Sequence, residues 1–324
     1  MIMIDAVEET PILNFEVSVE DAGKRLDAYL AEKIENWSRS RLQKLIDDGD
    51  VLVNLKQTKS SHKIRENDEI EVELTELPVE IFEPENISLE IVYEDALLAV
   101  INKPAGMVVH PGAGVSSGTL ANAVAYHFQI RNPQSAIRNR LGIVHRLDKD
   151  TSGLIVVAKT EDVHEKLSEQ FHDREVYKSY VALVHGEMEK NAGTIDAPIA
   201  REKHNRLKMS VKHYGRHALS LWKVKKRFEK FTLLAVEIKT GRTHQIRIHL
   251  AHINHPVVGD ETYNAGRDKT IKDVNIRQKI ANLNRFFLHA EKLSFTHPET
   301  KEKMKFTAPL PAELTELLEV IENS

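Results

Sequence analysis

From Glu66 to Asp95 the chain carries twelve acidic residues and no basic one, and Pro78 and Pro84 fall inside that run. Like charges repel along such a segment and prolines interrupt regular structure, so residues 76–88 read as a linker. The linker divides the 324 residues into a small module over 15–75 and a larger one over 89–324, in keeping with a length that suggests two domains. The net charge of −4 hides a blocked distribution. Residues 24–65 hold ten Lys/Arg against six acids, and residues 201–230 hold eleven against two. The field at a surface follows local charge, so two basic blocks set between acidic ones predict contact with a polyanion.

The small module has the periodicity of two helices followed by a sheet. Leu26, Tyr29, Leu30 and Ile34 share one face of a helix expected over 22–34. Ser38 is suited to cap a second helix through Leu42, Leu45 and Ile46, with Gly49 as its stop. Val51–Val53 and the alternating Ile70–Leu74 are strand candidates. Arg25-Leu26-Asp27, Ser38–Ile46, Gly49–Asn54 and Asn67–Ile70 together resemble an S4 RNA-binding domain. A glycine often precedes the acidic residue at the position of Asp68, and Asn67 can make a similar turn. The resemblance implies that Arg39, Arg41 and Lys44, within about one and a half turns of one helix, meet phosphates of a structured RNA.

In the larger module strands outnumber helices. Leu97–Asn102, Gly142–His145, Leu154–Ala158, Tyr180–Val184, Leu219–Phe228 and Phe231–Ile238 are strand candidates. Helices are expected over 118–128 and 312–321. No regular βαβ repeat occurs, so the expected class is α+β with a mixed, largely antiparallel sheet. Asp148 falls in the polar run Asp148–Gly153 between two strand candidates, and on that ground alone it is an aspartate in a hairpin turn. Tyr180 alone is a core strand tyrosine, and Arg247 alone a surface helix charge.

Their company changes the reading. His145-Arg146-Leu147-Asp148-Lys149-Asp150-Thr151-Ser152-Gly153-Leu154 resembles the signature loop of the RluA/RluD branch of RNA pseudouridine synthases. Lys103–Pro111, Tyr177–Val184, Thr240–Leu250 and His255–Asp260 resemble its further motifs, in the family's order. Length and domain order resemble the members that act on a stem-loop of large-subunit ribosomal RNA. The resemblance implies isomerisation of uridine to pseudouridine, with Asp148 as the catalytic carboxylate, acting as nucleophile on the sugar or as base on its 2′ proton. A desolvated carboxylate drifts toward its protonated form unless a cation stands beside it, and the family's arginine motif implies Arg247 as that cation. By the same carry-over Tyr180 packs on the uracil and assists proton removal from carbon 5. A stacked uridine must leave the stack to react, and Arg146 is implied to fill the gap it leaves.

The reaction is redox-neutral, so no cofactor or metal is expected. His244, His249, His252 and His255 cluster in the chain, but a His-Glu-x-x-His motif is absent and the chain has no cysteine. P-loop, dinucleotide and Gly-x-Ser-x-Gly fingerprints are absent as well. No run approaches the roughly 18 apolar residues of a membrane span, and Met1–Glu9 lacks the features of a secretory signal, so a cytoplasmic setting is expected. The expected partner is structured RNA, 23S-type or a pre-ribosomal particle, with no DNA and no membrane. The rival is a non-catalytic RNA-binding or ribosome-assembly factor that keeps the synthase fold; retention of Asp148, Tyr180 and Arg247 together argues against it.

Overall fold

The computed structural model describes residues 12–34, 37, 39–74, 83–110, 115–131, 142–202 and 208–324. The expected cap Ser38, most of the 76–88 linker, Pro111, Met1–Glu9 and residues 203–207 of the second basic block lie outside them, as does the side chain of Arg41. The chain divides into two compact units, 1–79 and 80–324.

The first unit contains β1 (Ile12–Glu16), α1 (Leu26–Lys33), α2 (Arg39–Asp48), β2 (Val51–Val53), β3 (Lys56–Gln57) and β4 (Glu69–Glu73). The strands form an antiparallel sheet in the order β1-β4-β2-β3. Leu26, Tyr29 and Leu30 of α1 pack with Leu42, Leu45 and Ile46 of α2 against Val51, Ile70 and Val72. The first helix starts four residues later than its periodicity suggests. Gly23 adopts a positive φ and Arg25 is extended, bridging to Lys63 instead of continuing a helix. Asn54 and Leu55 both have positive φ, the backbone that a two-residue turn between β2 and β3 requires. Asn67 has φ +63°, so it does take the turn a glycine would.

The second unit is α+β. It contains β5 (Glu90–Glu94), β6 (Leu98–Lys103), α3 (Leu120–Arg131), β7 (Ser152–Ala158), α4 (Glu161–His172), β8 (Tyr177–His185), β9 (Ala192–Asp196) and β10 (Ile199–Arg201). After these come β11 (Met209–Val211), β12 (Leu219–Arg227), β13 (Phe231–Ile238), α5 (Gln245–His252), α6 (Val274–Asn282), β14 (Leu288–Thr296), β15 (Lys303–Thr307) and α7 (Ala312–Glu322). A nine-stranded sheet runs β5-β6-β7-β14-β8-β13-β12-β9, with β15 also on β14. Only β7 and β14 among these neighbours are parallel, so the sheet is mixed and largely antiparallel.

The unbroken apolar runs of β6 and β7 follow from burial on both faces. Ala99, Ile101, Ile155 and Val157 enter the core shared with α3, α5, α6 and α7. Leu98, Val100, Leu154, Val156 and Ala158 enter a second core with Val163 and Leu167 of α4. Removing each larger aliphatic side chain from water contributes about 1.5–3 kcal/mol, which anchors the strand that follows the Asp148 loop.

One expected strand is absent. Residues 142–145 make a single bridge, Ile143 to Val157, and Asp148 is therefore not in a hairpin. A second ladder does not form because a side chain takes its place: the His145 ring accepts the Val156 amide at 3.1 Å. Gly142 also lies against Ala158, where a Cβ would come within 1.9 Å of the carbonyl oxygen.

Candidate active site

Three attachments hold the segment around Asp148. Leu147 and Thr151 are buried on either side of it, and the Thr151 amide closes a turn on the Asp148 carbonyl at 3.1 Å. The His145 ring stacks on Phe171, with centroids 4.5 Å apart, while it holds the edge of β7. Desolvation, with Lys178 nearby, pushes His145 down to about 3, which keeps the ring neutral and Nε2 free to accept. Lys103, fully buried at the end of β6, donates to the carbonyls of Pro104, Met107 and Lys149 at 2.7, 2.9 and 3.0 Å. Burial, aided by Arg285, pulls Lys103 down to about 7 against the pull of Asp150 and Asp148. Three carbonyl acceptors require three N–H donors, which only the ammonium has. The Lys103 motif is thereby tied to the Asp148 loop.

Gly153, the second residue of β7, has φ +114°, and a Cβ there would lie 2.3 Å from the Ala290 carbonyl oxygen. A glycine is needed where β7 comes closest to its parallel neighbour.

Arg247 comes from α5, and contrary to its reading as a surface helix charge it is buried, with a side chain only 6% exposed. Its Nη1 is 3.2 Å from Asp148 Oδ2. Its Nε and Nη2 grip both oxygens of Asp260 at 2.7 and 2.8 Å. The guanidinium lies 5.0 Å from the Tyr263 ring centroid and 4.2 Å from that of Phe286. Burial acts to lower its pKa, but Asp260 and then Asp148 outweigh it, so the net shift is upward. Asp260 also accepts the amides of Thr262 and Tyr263. The arginine is thus oriented mainly by Asp260, and it reaches Asp148 through one longer contact. No hydrogen bond from the described residues reaches Asp148 Oδ1.

Tyr180, on β8, is buried and lines a cavity of ≈60 Å³ together with Asp148, Arg146 and Arg247. Burial, then the Asp148 carboxylate, pushes its phenol upward, so the neutral form dominates. That cavity has room for only a few waters. It shares Arg146, Asp148, His244 and Arg247 with a cleft of ≈970 Å³, which is of nucleotide-accommodating size. Arg146 is exposed where the two meet.

The structure therefore brings Arg146, Asp148, Tyr180 and Arg247 to one place. Asp260, Tyr263 and Phe286 were given no role by sequence reasoning; the His255–Asp260 motif was the available signal for the first, and nothing local marks the other two. In the first unit, Arg39 sits three residues before Leu42 and so lies beside the core-facing side of α2. It pairs at 3.0 Å with the fully buried Asp27, which Arg25 and Gln43 also hold. Lys44 is exposed. The histidine cluster disperses into separate bonds: His249 to Ser220 and the Ala197 carbonyl, His255 to the His185 carbonyl.

The family model for RNA pseudouridylate synthase matches residues 97–252, and that for the S4 domain matches residues 24–70. An uncharacterized RNA pseudouridine synthase of Bacillus subtilis is 41% identical over 95% of this chain and 97% of its own length. The ribosomal large subunit pseudouridine synthase D of Pasteurella multocida is 42% identical over 95% of this chain and 94% of its own. Among solved structures, human RNA pseudouridylate synthase domain containing 4 superposes with a TM-score of 0.59 at 25% identity, covering 72% of this chain and 93% of that one. With its motifs gathered around one carboxylate and relatives matching nearly end to end, the chain belongs to the RNA pseudouridine synthase family and carries an S4 domain ahead of its catalytic unit.

Proposed function

We propose that this enzyme isomerises uridines of large-subunit ribosomal RNA, in the cytoplasm, with Asp148 as its catalytic carboxylate. The observation that carries the assignment is the pairing of Asp148 with the buried Arg247 beside a pocket that Tyr180 lines. A target uridine leaves its stack, enters the large cleft and presents its sugar to Asp148. The carboxylate, its charge favoured by Arg247, acts on the anomeric carbon or on the 2′ proton; the bond from the sugar to nitrogen 1 breaks, the base turns and rejoins through carbon 5, and carbon 5 gives up its proton while nitrogen 1 gains one. Tyr180 packs on the uracil, and its upward-shifted phenol suits contact with a neutral ring better than service as a free phenolate. Arg146, exposed at the cleft, occupies the vacated place in the stack.

The module at 15–75 holds the RNA through Arg39, Arg41 and Lys44, with 76–88 as its tether. Because Arg39 is shared with Asp27, Lys44 is the more available phosphate contact of the two. The names of the relatives support the ribosomal substrate, and the two basic blocks support RNA as partner.

Asp148→Asn tests the assignment. The variant is expected to lose isomerisation of large-subunit RNA transcripts altogether while its RNA affinity stays within about twofold, since the substitution preserves shape. Full activity in Asp148→Asn would remove the carboxylate from the mechanism. Pseudouridine mapping of RNA from cells with and without the gene identifies the sites.

A further inference from the structure

His244 lines the cleft beside Asp148 and Arg247. It precedes α5 with φ 55° and ψ 22°, a left-handed backbone that costs a non-glycine residue about 1 kcal/mol, and its side chain does not cap the helix. The half-buried ring lines both cavities with Asp148. Its Nδ1 is 2.8 Å from the Tyr263 hydroxyl, with the two rings edge to face. That hydroxyl also receives the Met209 amide of β11 at 3.1 Å.

These contacts favour one direction of donation. A backbone amide can only donate, so the Tyr263 oxygen accepts from Met209. The described residues offer the phenolic hydrogen no acceptor other than His244 Nδ1. Nδ1 therefore accepts, and a neutral imidazole in that arrangement carries its proton on Nε2. Desolvation lowers the His244 pKa, with Arg247 and Arg146 acting in the same direction and Asp148 and Asp260 opposing. The result is a neutral N–H donor with no partner among the described residues, next to Asp148.

Accepting the reaction proposed above, we propose that His244 contacts the substrate, its Nε2–H donating a hydrogen bond to an acceptor oxygen of the target uridine nucleotide, with Tyr263 as the positioning residue that sets the tautomer. A neutral donor suits this place. It can hold a carbonyl or phosphate oxygen, and stabilise charge gathering on the departing uracil, without competing with Arg247 for Asp148. The Met209–Tyr263–His244 series also joins the hairpin of the second basic block to the reacting nucleotide.

Two measurements on the full chain test this. In protein labelled with ¹⁵N-histidine, the His244 ring signals, identified by their loss in His244→Asn, should show an unprotonated Nδ1 and a protonated Nε2. A protonated Nδ1 would overturn the proposal. In single-turnover isomerisation of a large-subunit RNA transcript, His244→Ala should slow the reaction about tenfold to a hundredfold with RNA affinity unchanged. His244→Asn, which keeps an N–H donor and tolerates positive φ, should recover part of that loss. Tyr263→Phe frees the tautomer, so its rate should fall as pH rises through the lowered His244 pKa and recover below it, where imidazolium again bears Nε2–H; the parent should lack this added dependence. Unchanged rates in both His244→Ala and Tyr263→Phe, or a loss seen only in affinity, would refute it. Should His244→Ala fail to fold, the spectrum and the Tyr263→Phe profile still decide. Activity in Asp148→Asn would refute the proposed chemistry and leave the tautomer result standing, so the two failures are distinguishable.

Discussion

At the scale of single residues, Arg247 has two carboxylate partners of unequal strength. Its two-pronged grip on Asp260 is shorter than its single contact with Asp148, and the guanidinium is flanked by Tyr263 and Phe286. Asp260 therefore fixes where the positive charge stands, and Asp148 meets that charge without being enclosed by it. Removing one member of a buried ion pair leaves the other desolvated and uncompensated. Asp260→Ala is thus expected to cost about 3–5 kcal/mol of stability, read from the shift in urea midpoint. It should also slow single turnover in whatever protein remains folded, because Arg247 then leans wholly on Asp148. A midpoint within error of the parent would show that Asp148 alone suffices to hold the arginine.

Among the elements, β7 has an unusual edge. β6 pairs along one side of it, whereas β14 pairs with it only at Ser152 and Gly153. The remainder that β14 leaves unpaired is covered by the Ile143 bridge and by the His145 ring on the Val156 amide, which requires an unprotonated Nε2. Folding holds His145 down at about 3, against about 6.5 in an unfolded chain. As pH falls below about 6.5 the unfolded chain takes up a proton that the folded one refuses. The contribution is therefore complete above that pH and lost progressively toward pH 3, with a slope of at most about 1.4 kcal/mol per pH unit. His145→Gln, whose amide oxygen can accept the same hydrogen, should flatten the dependence. Urea unfolding between pH 4 and 7 checks it, and identical slopes in the two proteins would remove His145 from the acid response.

On the scale of the whole molecule, each unit has a core of its own, that of the first built from α1, α2 and its four-stranded sheet. The stretch that matches the pseudouridine synthase family model belongs wholly to the second. Deleting residues 1–79 is accordingly expected to leave cooperative unfolding of the remainder intact. RNA affinity should weaken, and its decline with salt should become shallower as phosphate contacts are lost. Affinity measured at two or more salt concentrations tests this, and an unaltered slope would show that the first unit makes no phosphate contacts.

Local pattern determined a good deal. Helical periodicity marked α1, α2 and α7, alternation marked β4, and the buried runs marked β6, β7 and β13, because facing a core in one direction or two is written into neighbouring residues. The motif order pointed to the family and gathered Asp148, Tyr180 and Arg247 as candidates. What remained was decided between segments far apart in the chain. Residues 142–145 look like a strand, yet the edge they would fill is closed by His145 itself. Arg247 looks like a surface charge, yet α5 is enclosed by strands and loops that periodicity does not link to it. Asp260, Tyr263 and Phe286 reach the site only after β13, α5 and the chain beyond have folded back on one another. Sequence spacing could indicate which groups the chemistry needs. Only tertiary packing could decide which carboxylate holds the arginine and which faces the pocket, because burial and ion-pair strength depend on neighbours that meet in space.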